Sequence, residues 1–516
     1  MTDRSMRDPP RDSLTEAEAD ALLDADEAEE TIDAPADADD DVAMDSGDEE
    51  GEDDGDIDLD GPMEEILLQN DSAAHFDQHS DSILCIAQHP TRPEIVATGG
   101  QDDAAYVWDA TPAEGPVLPT SYESDPQPRE RQSQRVLATL EGQDESVNAI
   151  CFTLPTGDFV ATATLAGTLS VYSTPTPTQP SRLIAASKEV DEINWLLPSP
   201  HRDHPNTLAL GAADGSVWVY TVTATELTIL QTFFLHQAPC TAGAWTPDGK
   251  LLATVAEDSS LYVWDVFGDA AAAGVADPNG GQAVVSLTAA DERFKVDGGL
   301  YSAAISPGGG IVAVGGAGGN VRVIGLPRLS SSAAASAKST TAAAGTRGGS
   351  KATAASKPAP SASSASQAGQ ILAALAAQTD GVETLSFSQP PLTLLAAGSV
   401  DGSITLFDAA RNFAVRRHIP AAHDEEAVIQ VEFVKTALGT ANAKGWCLTS
   451  CGNDGVVRRW DVRGGTVAAD KGLVGEWRGH RGGGDGGGVL GFVQGGGGGA
   501  VVTAGDDGVG LVFATP

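Results

Sequence analysis

The sequence predicts an all-β fold built from repeated four-stranded units and preceded by a disordered acidic tail. Three observations predict it. The chain breaks into short runs that alternate apolar and polar residues. A fixed ruler of hydroxyl, Asp and aromatic residues recurs along it. Its negative charge is concentrated at one end.

The runs come first. Ile83–Ala87, Ile95–Thr98, Ala105–Trp108 and Val136–Leu140 alternate with a period of two and are punctuated by Gly, Asp and Pro. Successive side chains on a strand point to opposite faces, so runs of four or five residues read as antiparallel strands.

The ruler groups the strands. Thr98, Asp102 and Trp108 are spaced like Thr254, Asp258 and Trp264, and like Ser450, Asp454 and Trp460. An Asp follows the hydroxyl by four positions and a Trp-Asp dipeptide begins six later. Weaker copies keep the six-residue step: Asp214 to Tyr220, Asp401 to Phe407, and Asp507 to Phe513. Ala166 to Tyr172 and Gly318 to Ile324 keep it without the Asp, which makes eight units. His79, His236, His423 and His480 stand upstream of four units, and Gln143 holds that place in the second. Four strands in about 42 residues make one blade of a β-propeller. The Trp-Asp dipeptides identify the resemblance: residues 72–516 are similar to the WD40 β-propeller family. The resemblance implies a closed ring whose last blade borrows its outer strand from the N-terminal side, here Ala73–Phe76. Eight blades are expected, with seven, the usual family number, as the alternative. Blade 5, near residues 300–326, is the most Gly-rich, with strands at Ala313–Gly315 and Val321–Ile324. Insertions are expected near 110–134 and 268–282, and an Ala/Ser/Lys-rich one spans 327–370.

The charge divides the chain into an acidic tail, 1–62, and the propeller, 63–516. Residues 1–65 carry 28 acids and 3 bases, and the remaining residues 45 and 27. Such a tail cannot bury enough apolar surface to offset its ordering entropy and is expected to be disordered. The insertion holds five bases and no acid, so the propeller body is acidic on its own account. A net charge of −43 disfavours direct nucleic-acid binding and an anionic membrane surface. No signal peptide and no membrane span are expected, and the five cysteines form no dense framework. A reduced compartment follows: the cytoplasm, with nuclear presence allowed.

His79, Thr98, Asp102 and Trp108 superficially form a hydrolase-like set, as do His236, Thr254, Asp258 and Trp264, and His423, Ser450, Asp454 and Trp460. An enzyme needs one such site and this chain has three. The WD40 resemblance implies that each set is a structural tetrad running Trp to hydroxyl to His to Asp, and the need of buried polar groups for partners fits it. No enzyme activity, cofactor or metal site is expected. Gly345–Lys351 lacks the spacing of a phosphate loop, and Cys447 and Cys451 have no second pair to complete a metal site.

The loops entering the first strand of each blade, and the turns between its second and third strands, share one face. The ruler puts Asp81, Glu145, Asp191, Glu192, Asp297, Asp380, Glu383, Asp424, Glu425, Glu426 and Asp485 in the loops, and Asp103, Glu257 and Asp506 in the turns. Lys188 and Arg481 are the nearest bases. Charged loops are commonly just solvated. Acids from nearly every blade around one opening instead focus a negative potential that attracts Lys/Arg-rich segments.

A narrower resemblance runs through Glu64-Glu65-Ile-Leu-Leu-Gln-Asn-Asp71, Phe76-Asp-Gln-His79-Ser-Asp81, His89-Pro90 and Thr98-Gly-Gly-Gln-Asp102. These residues resemble a WD-repeat subfamily comprising the fungal ribosome-assembly chaperones of large-subunit ribosomal protein L-ten (universal L-sixteen class) and the animal angio-associated migratory cell proteins. The resemblance implies a monomeric chaperone. It would hold the basic N-terminal segment of a newly made ribosomal protein and meet the pre-60S particle transiently. By blade position it implies that role for Glu145, Glu257, Glu383, Glu425 and Asp506. The alternatives are a generic WD40 scaffold or ubiquitin-ligase substrate receptor, and a carrier of histones.

Overall fold

The computed structural model describes residues 69–112, 132–276, 283–329, 367–436, 443–464, 472–482 and 486–515. The tail at 1–62, Glu64 and Glu65 of the narrower motif, most of the insertion at 327–370, and Asp485 lie outside them.

Thirty-two strands form eight antiparallel four-stranded sheets. In seven of them strands a to d lie in chain order, and the eighth takes its strand d from the N-terminal side. Blade 1 has Ile83–Gln88, Ile95–Gly100, Ala105–Asp109 and Val136–Thr139. The inner strands a of blades 2 to 8 begin at Val147, Ile193, Cys240, Leu300, Val382, Val428 and Val489. Each inner strand packs on the next, and the last packs on the first, so the sheets close into a ring. The eighth sheet is completed by Ala74–Phe76, which pairs with Gly510–Ala514 in the register Ala74 to Val512. One further short strand, Ala422–Glu425, lies outside the eight sheets.

The b strands explain why the sequence reads as it does. Ile95–Gly100, Phe159–Thr164, Thr207–Ala212, Leu251–Ala256 and Leu394–Ser399 are buried along their whole length. Both faces of such a strand meet a neighbouring blade, so apolar and small residues run continuously. Blade 5 follows the same plan with longer strands than expected, Ile311–Gly316 and Asn320–Gly325. Its fourth strand is Ile371–Ala376, beyond the insertion. All three insertions therefore join strands c and d.

The predicted tetrads are hydrogen-bonded chains inside blades. In blade 1 the Trp108 indole donates to Thr98 Oγ1 at 3.3 Å. Thr98 Oγ1 lies 3.0 Å from His79 Nε2, and His79 Nδ1 lies 3.0 Å from Asp102 Oδ1. The order assigns the tautomer: the hydroxyl donates to Nε2, which leaves the Nδ1 proton for the carboxylate. Blade 7 repeats this, with Trp460 to Ser450 at 2.9 Å, Ser450 to His423 at 2.7 Å and His423 to Asp454 at 2.9 Å. Arg458, absent from the predicted set, pairs with the same carboxylate. Burial opposes ionisation of Asp454, but its bonds to His423 and Arg458 hold it below the usual carboxylate range. Blade 8 has the chain without an indole: Thr503, His480 and Asp507, at 2.8 and 3.0 Å.

Blade 4 corrects the expectation. Trp264 donates to Thr254 at 2.8 Å and Thr254 meets His236 at 2.8 Å. His236 Nδ1 then reaches Ser260 Oγ at 2.6 Å, and Ser260, not the histidine, bonds Asp258. Blades 1, 7 and 8 have Gly100, Gly452 and Gly505 two positions after the hydroxyl residue, and blade 4 has Ala256. A Cβ at Gly100 or Gly505 would stand 2.5 Å from the histidine ring. The Ala256 methyl occupies that place in blade 4, so the serine relays the bond.

Aromatic stacking ties the tetrads to the preceding blade. Phe76 stacks on Trp108 at 4.6 Å, and Phe233 stacks on Trp264 at 4.3 Å. The closing strand thus inserts its Phe against the first tetrad.

Two outcomes follow. Asp258→Ala removes the carboxylate to which the Ser260 hydroxyl and the Gln237 amide donate, and is expected to lower unfolding free energy by about 1–3 kcal/mol in denaturant titration. Burial also pushes the imidazoles of His79, His236 and His423 down, His236 to about 4. An unfolded chain protonates its histidines near pH 6.5 while the fold resists it. This contribution to stability is complete above about pH 6.5 and is lost as pH falls toward 4. Thermal unfolding should show the loss, and His236→Gln should reduce the difference between pH 7 and pH 4.5.

Candidate functional site

Antiparallel pairing sends the d–a loops and the b–c turns to one end of every blade. One backbone hydrogen bond welds them together in all eight. A turn residue donates its N–H to the carbonyl of the residue preceding strand a, at 2.8–3.2 Å. The pairs include Gln101 to Ser82, Leu165 to Ser146, Ala213 to Glu192, Glu257 to Pro239 and Asp506 to Gly488. Immediately afterwards, every inner strand carries a register shift at its second residue. A bulge leaves that residue out of the ladder and re-aims its side chain.

The bulged residues have two uses. Asn148, Asn194 and Thr241 donate to the carbonyls of Ile193, Cys240 and Leu300, the first residues of the next inner strands, at 2.5, 3.1 and 2.6 Å. These bonds link blade to blade. At the same position blade 6 has Glu383, which makes it a strand residue, not the loop residue expected from the ruler. Polar Asn inside the apolar runs Val-Asn-Ala-Ile and Ile-Asn-Trp-Leu was the available signal for the bulge.

The acids lie where this frame carries them. Asp81, Glu145, Asp191, Glu192, Asp380 and Glu425 are exposed in d–a connections, and Glu426 is partly so. Asp103 and Glu257 are exposed in b–c turns, and Asp103 takes a left-handed φ of 56°. Asp506 is partly buried, because its carboxylate accepts from Ser82 Oγ of blade 1 at 2.6 Å. It therefore also seals the junction between the last blade and the first. Tyr301, on the bulge of blade 5, connects the acids of its neighbours. Burial first, then the charges of Glu257 and Glu383, push its phenol up. Burial and the adjacent Asp380 raise Glu383 above the ordinary carboxylate range.

Counter-charges correct the expectation at two positions. Lys295 and Arg293 also stand at this end, and Lys295 pairs with Asp297 at 2.8 Å. Arg458 lies 3.9 Å from Asp424. Lys188 pairs with Asp144 at 3.5 Å. Among the described residues, Asp81, Asp103, Glu145, Asp191, Glu192, Glu257, Asp380, Glu383, Glu425, Glu426 and Asp506 make no ion pair. The result is a ring of carboxylates fixed by backbone bonds and left electrostatically unsatisfied.

The other chemistry-bearing groups are engaged internally. The tetrad hydroxyls and histidines are buried and hydrogen-bonded within their blades. Cys447 and Cys451 share one strand of blade 7, and all five cysteines are free thiols. Burial pushes the thiols of Cys85, Cys151 and Cys451 far up, which removes their nucleophilicity.

Comparison with known proteins agrees with this geometry. The WD domain, G-beta repeat family is recognised over residues 70–109, 134–173 and 227–265. The crystal structure of Sqt1 from Chaetomium thermophilum is 48% identical in sequence, with a TM-score of 0.71, over 87% of this chain and 98% of that one. A second structure, of Chaetomium thermophilum Sqt1 bound to the N-terminus of the ribosomal protein L10, is 47% identical with a TM-score of 0.70, over 87% of this chain and all of that one. The ribosome assembly protein SQT1 of Saccharomyces cerevisiae is 32% identical over 210 residues, which are 39% of this chain and 43% of the yeast protein. Human angio-associated migratory cell protein is 24% identical over 411 residues, 80% of this chain and 74% of that protein. The chain therefore belongs to the Sqt1 family of WD40-repeat propellers.

Proposed function

We propose that this protein is a dedicated chaperone for ribosomal protein L10. It captures the cationic N-terminal segment of the newly made protein on its carboxylate ring and delivers it to the assembling large ribosomal subunit. The observation that carries this reading is the ring of acids without counter-ions at the turn end of the blades. The crystallised complex of Chaetomium thermophilum Sqt1 with the L10 N-terminus supports the choice of client. Capture where the client is synthesised places the work in the cytoplasm.

The mechanism is electrostatic. A nascent basic segment is disordered and prone to bind RNA wrongly. Carboxylates on several blades accept charge-assisted hydrogen bonds from its arginines. One exposed pair contributes about 0–1 kcal/mol, but several acting together reach submicromolar affinity. Because the ring is held by backbone bonds, little ordering entropy is lost on the chaperone side. Release is driven by ribosomal RNA, a denser polyanion that competes for the same cations.

Calorimetry of the full chain with the L10 N-terminal peptide tests the reading, with a histone-tail peptide alongside. Affinity is expected to fall strongly between about 50 and 300 mM salt as screening lengths shorten. Glu257→Lys, and likewise Asp506→Lys, should weaken binding about tenfold or more. Tighter binding of the histone peptide would favour the histone-carrier alternative, and equal binding of both peptides or salt-independent binding a generic scaffold.

Glu383 supplies a pH signature. A guanidinium bound beside it favours the ionised carboxylate, so binding releases a proton. Affinity is then full above the raised range of Glu383 and declines as pH falls through it. Glu383→Gln should flatten that decline and weaken binding at pH 7 by roughly two- to fivefold.

A further inference from the structure

Blade 3 departs from its neighbours at the same end of the ring. Its strands are Ile193–Pro198, Thr207–Ala212, Val217–Val222 and Leu227–Phe233. Glu189 stands four residues before strand a, where blades 1 and 4 have His79 and His236. In those blades the histidine packs edge-on against Tyr106 or Tyr262 of strand c, with centroids 4.9 Å apart. Blade 3 has Trp218 at that strand position and no histidine to pack on it.

Trp218 is half-buried. Its indole N–H donates to Ser216 Oγ at 2.8 Å, and that hydroxyl donates to Asp214 Oδ1 at 2.5 Å. The indole is thereby fixed in orientation and linked to an exposed carboxylate. Phe234, the first residue past strand d, meets Trp218 edge to face with centroids 5.9 Å apart. Phe234 is nonetheless 65% exposed and the adjoining Leu235 46% exposed. Two consecutive large apolar side chains thus stand in solvent beside the carboxylate ring. Their surroundings are acidic. Glu189 and Asp214 are exposed, and Asp191 and Glu192 of the ring follow two and three residues after Glu189. Lys188, the adjacent base, is committed to Asp144.

A solvent-facing aromatic pair flanked by carboxylates matches a guanidinium or ammonium group. The ring face attracts the cation through its quadrupole, and the carboxylates accept its N–H bonds. We propose that Trp218 and Phe234, with Asp214 and Glu189, form a cation–aromatic subsite. It takes one Arg or Lys side chain of the client segment where that segment leaves the carboxylate ring over the edge of blade 3. The subsite rests on the chaperone reading and adds to it a contact that screening weakens less than it weakens the carboxylates. It gives the otherwise symmetric ring a preferred exit direction.

The test uses the full chain, the L10 N-terminal peptide and, in parallel, a hexa-arginine peptide. Phe234→Ala is expected to weaken both about three- to tenfold, with the melting temperature and the salt dependence retained. Glu257→Lys, by contrast, should reduce the salt dependence. Replacing Phe234 with phenylalanines carrying one, three and five ring fluorines preserves shape while withdrawing charge from the ring face. Affinity should then fall stepwise. Unchanged affinity in Phe234→Ala overturns the subsite while leaving the carboxylate ring intact. Loss in Phe234→Ala without any effect of fluorination overturns it as well, because the contact is then merely apolar. Failure of the L10 peptide alone, with fluorine-sensitive binding of hexa-arginine, removes the L10 reading and keeps the subsite. Failure of both peptides removes both.

Discussion

The organisation of this molecule depends on one repeated backbone hydrogen bond. In each of eight blades a turn amide between strands b and c donates to the carbonyl just before strand a. The bond fixes where the inner strand begins, and the bulge at its second residue follows at once. That bulge aims one side chain per blade away from the ladder. Where the side chain is Asn148, Asn194 or Thr241, it binds the next blade. Where it is Glu383, it joins the acids of the candidate site. Stability and function thus draw on the same backbone geometry. The acids cost little to hold in place, because the bonds that hold them would exist without them.

The topology also explains how the chain tolerates long insertions. Strands c and d are joined at the end opposite to the b–c turns. The segments near 110–134, 268–282 and 327–370 all fall in c–d connections. Length added there does not disturb the carboxylate ring. The Gly-rich run at 495–499 lies between strands a and b of blade 8, again at the far end. One end of each blade is restrained by repeated bonds and the other is free to vary.

Much of this was legible in the sequence, because it follows from period and spacing. The b strands are continuous apolar runs since both faces are buried. The hydroxyl, Asp and Trp of each tetrad sit at fixed intervals since the ladder fixes them. Closure by a strand at Ala73–Phe76 was implied by the resemblance to WD40 propellers, and the strand runs over Ala74–Phe76. What was not legible depends on single atoms across strands. The methyl of Ala256 diverts the blade 4 chain through Ser260, and spacing alone cannot show a clash. Arg458 entered a tetrad because its guanidinium reaches a carboxylate four residues back. Lys295 and Arg458 neutralise Asp297 and Asp424, which a count of loop acids treats like the rest. Glu189 stands where blades 1 and 4 have a histidine over the strand-c ring, a difference that matters only once Trp218 and the exposed Phe234 are placed.

In the proposed function the cationic client segment lies on the end of the ring built by the welded turns. Hydrogen–deuterium exchange of the full chain, with and without the L10 N-terminal peptide, tests it most directly. Protection is expected in the d–a loops and b–c turns, including 80–84, 101–104, 189–193, 256–259, 379–384 and 504–507, with the opposite end unchanged. Protection confined to the a–b and c–d connections, or absent from both ends while the peptide is bound, would contradict it.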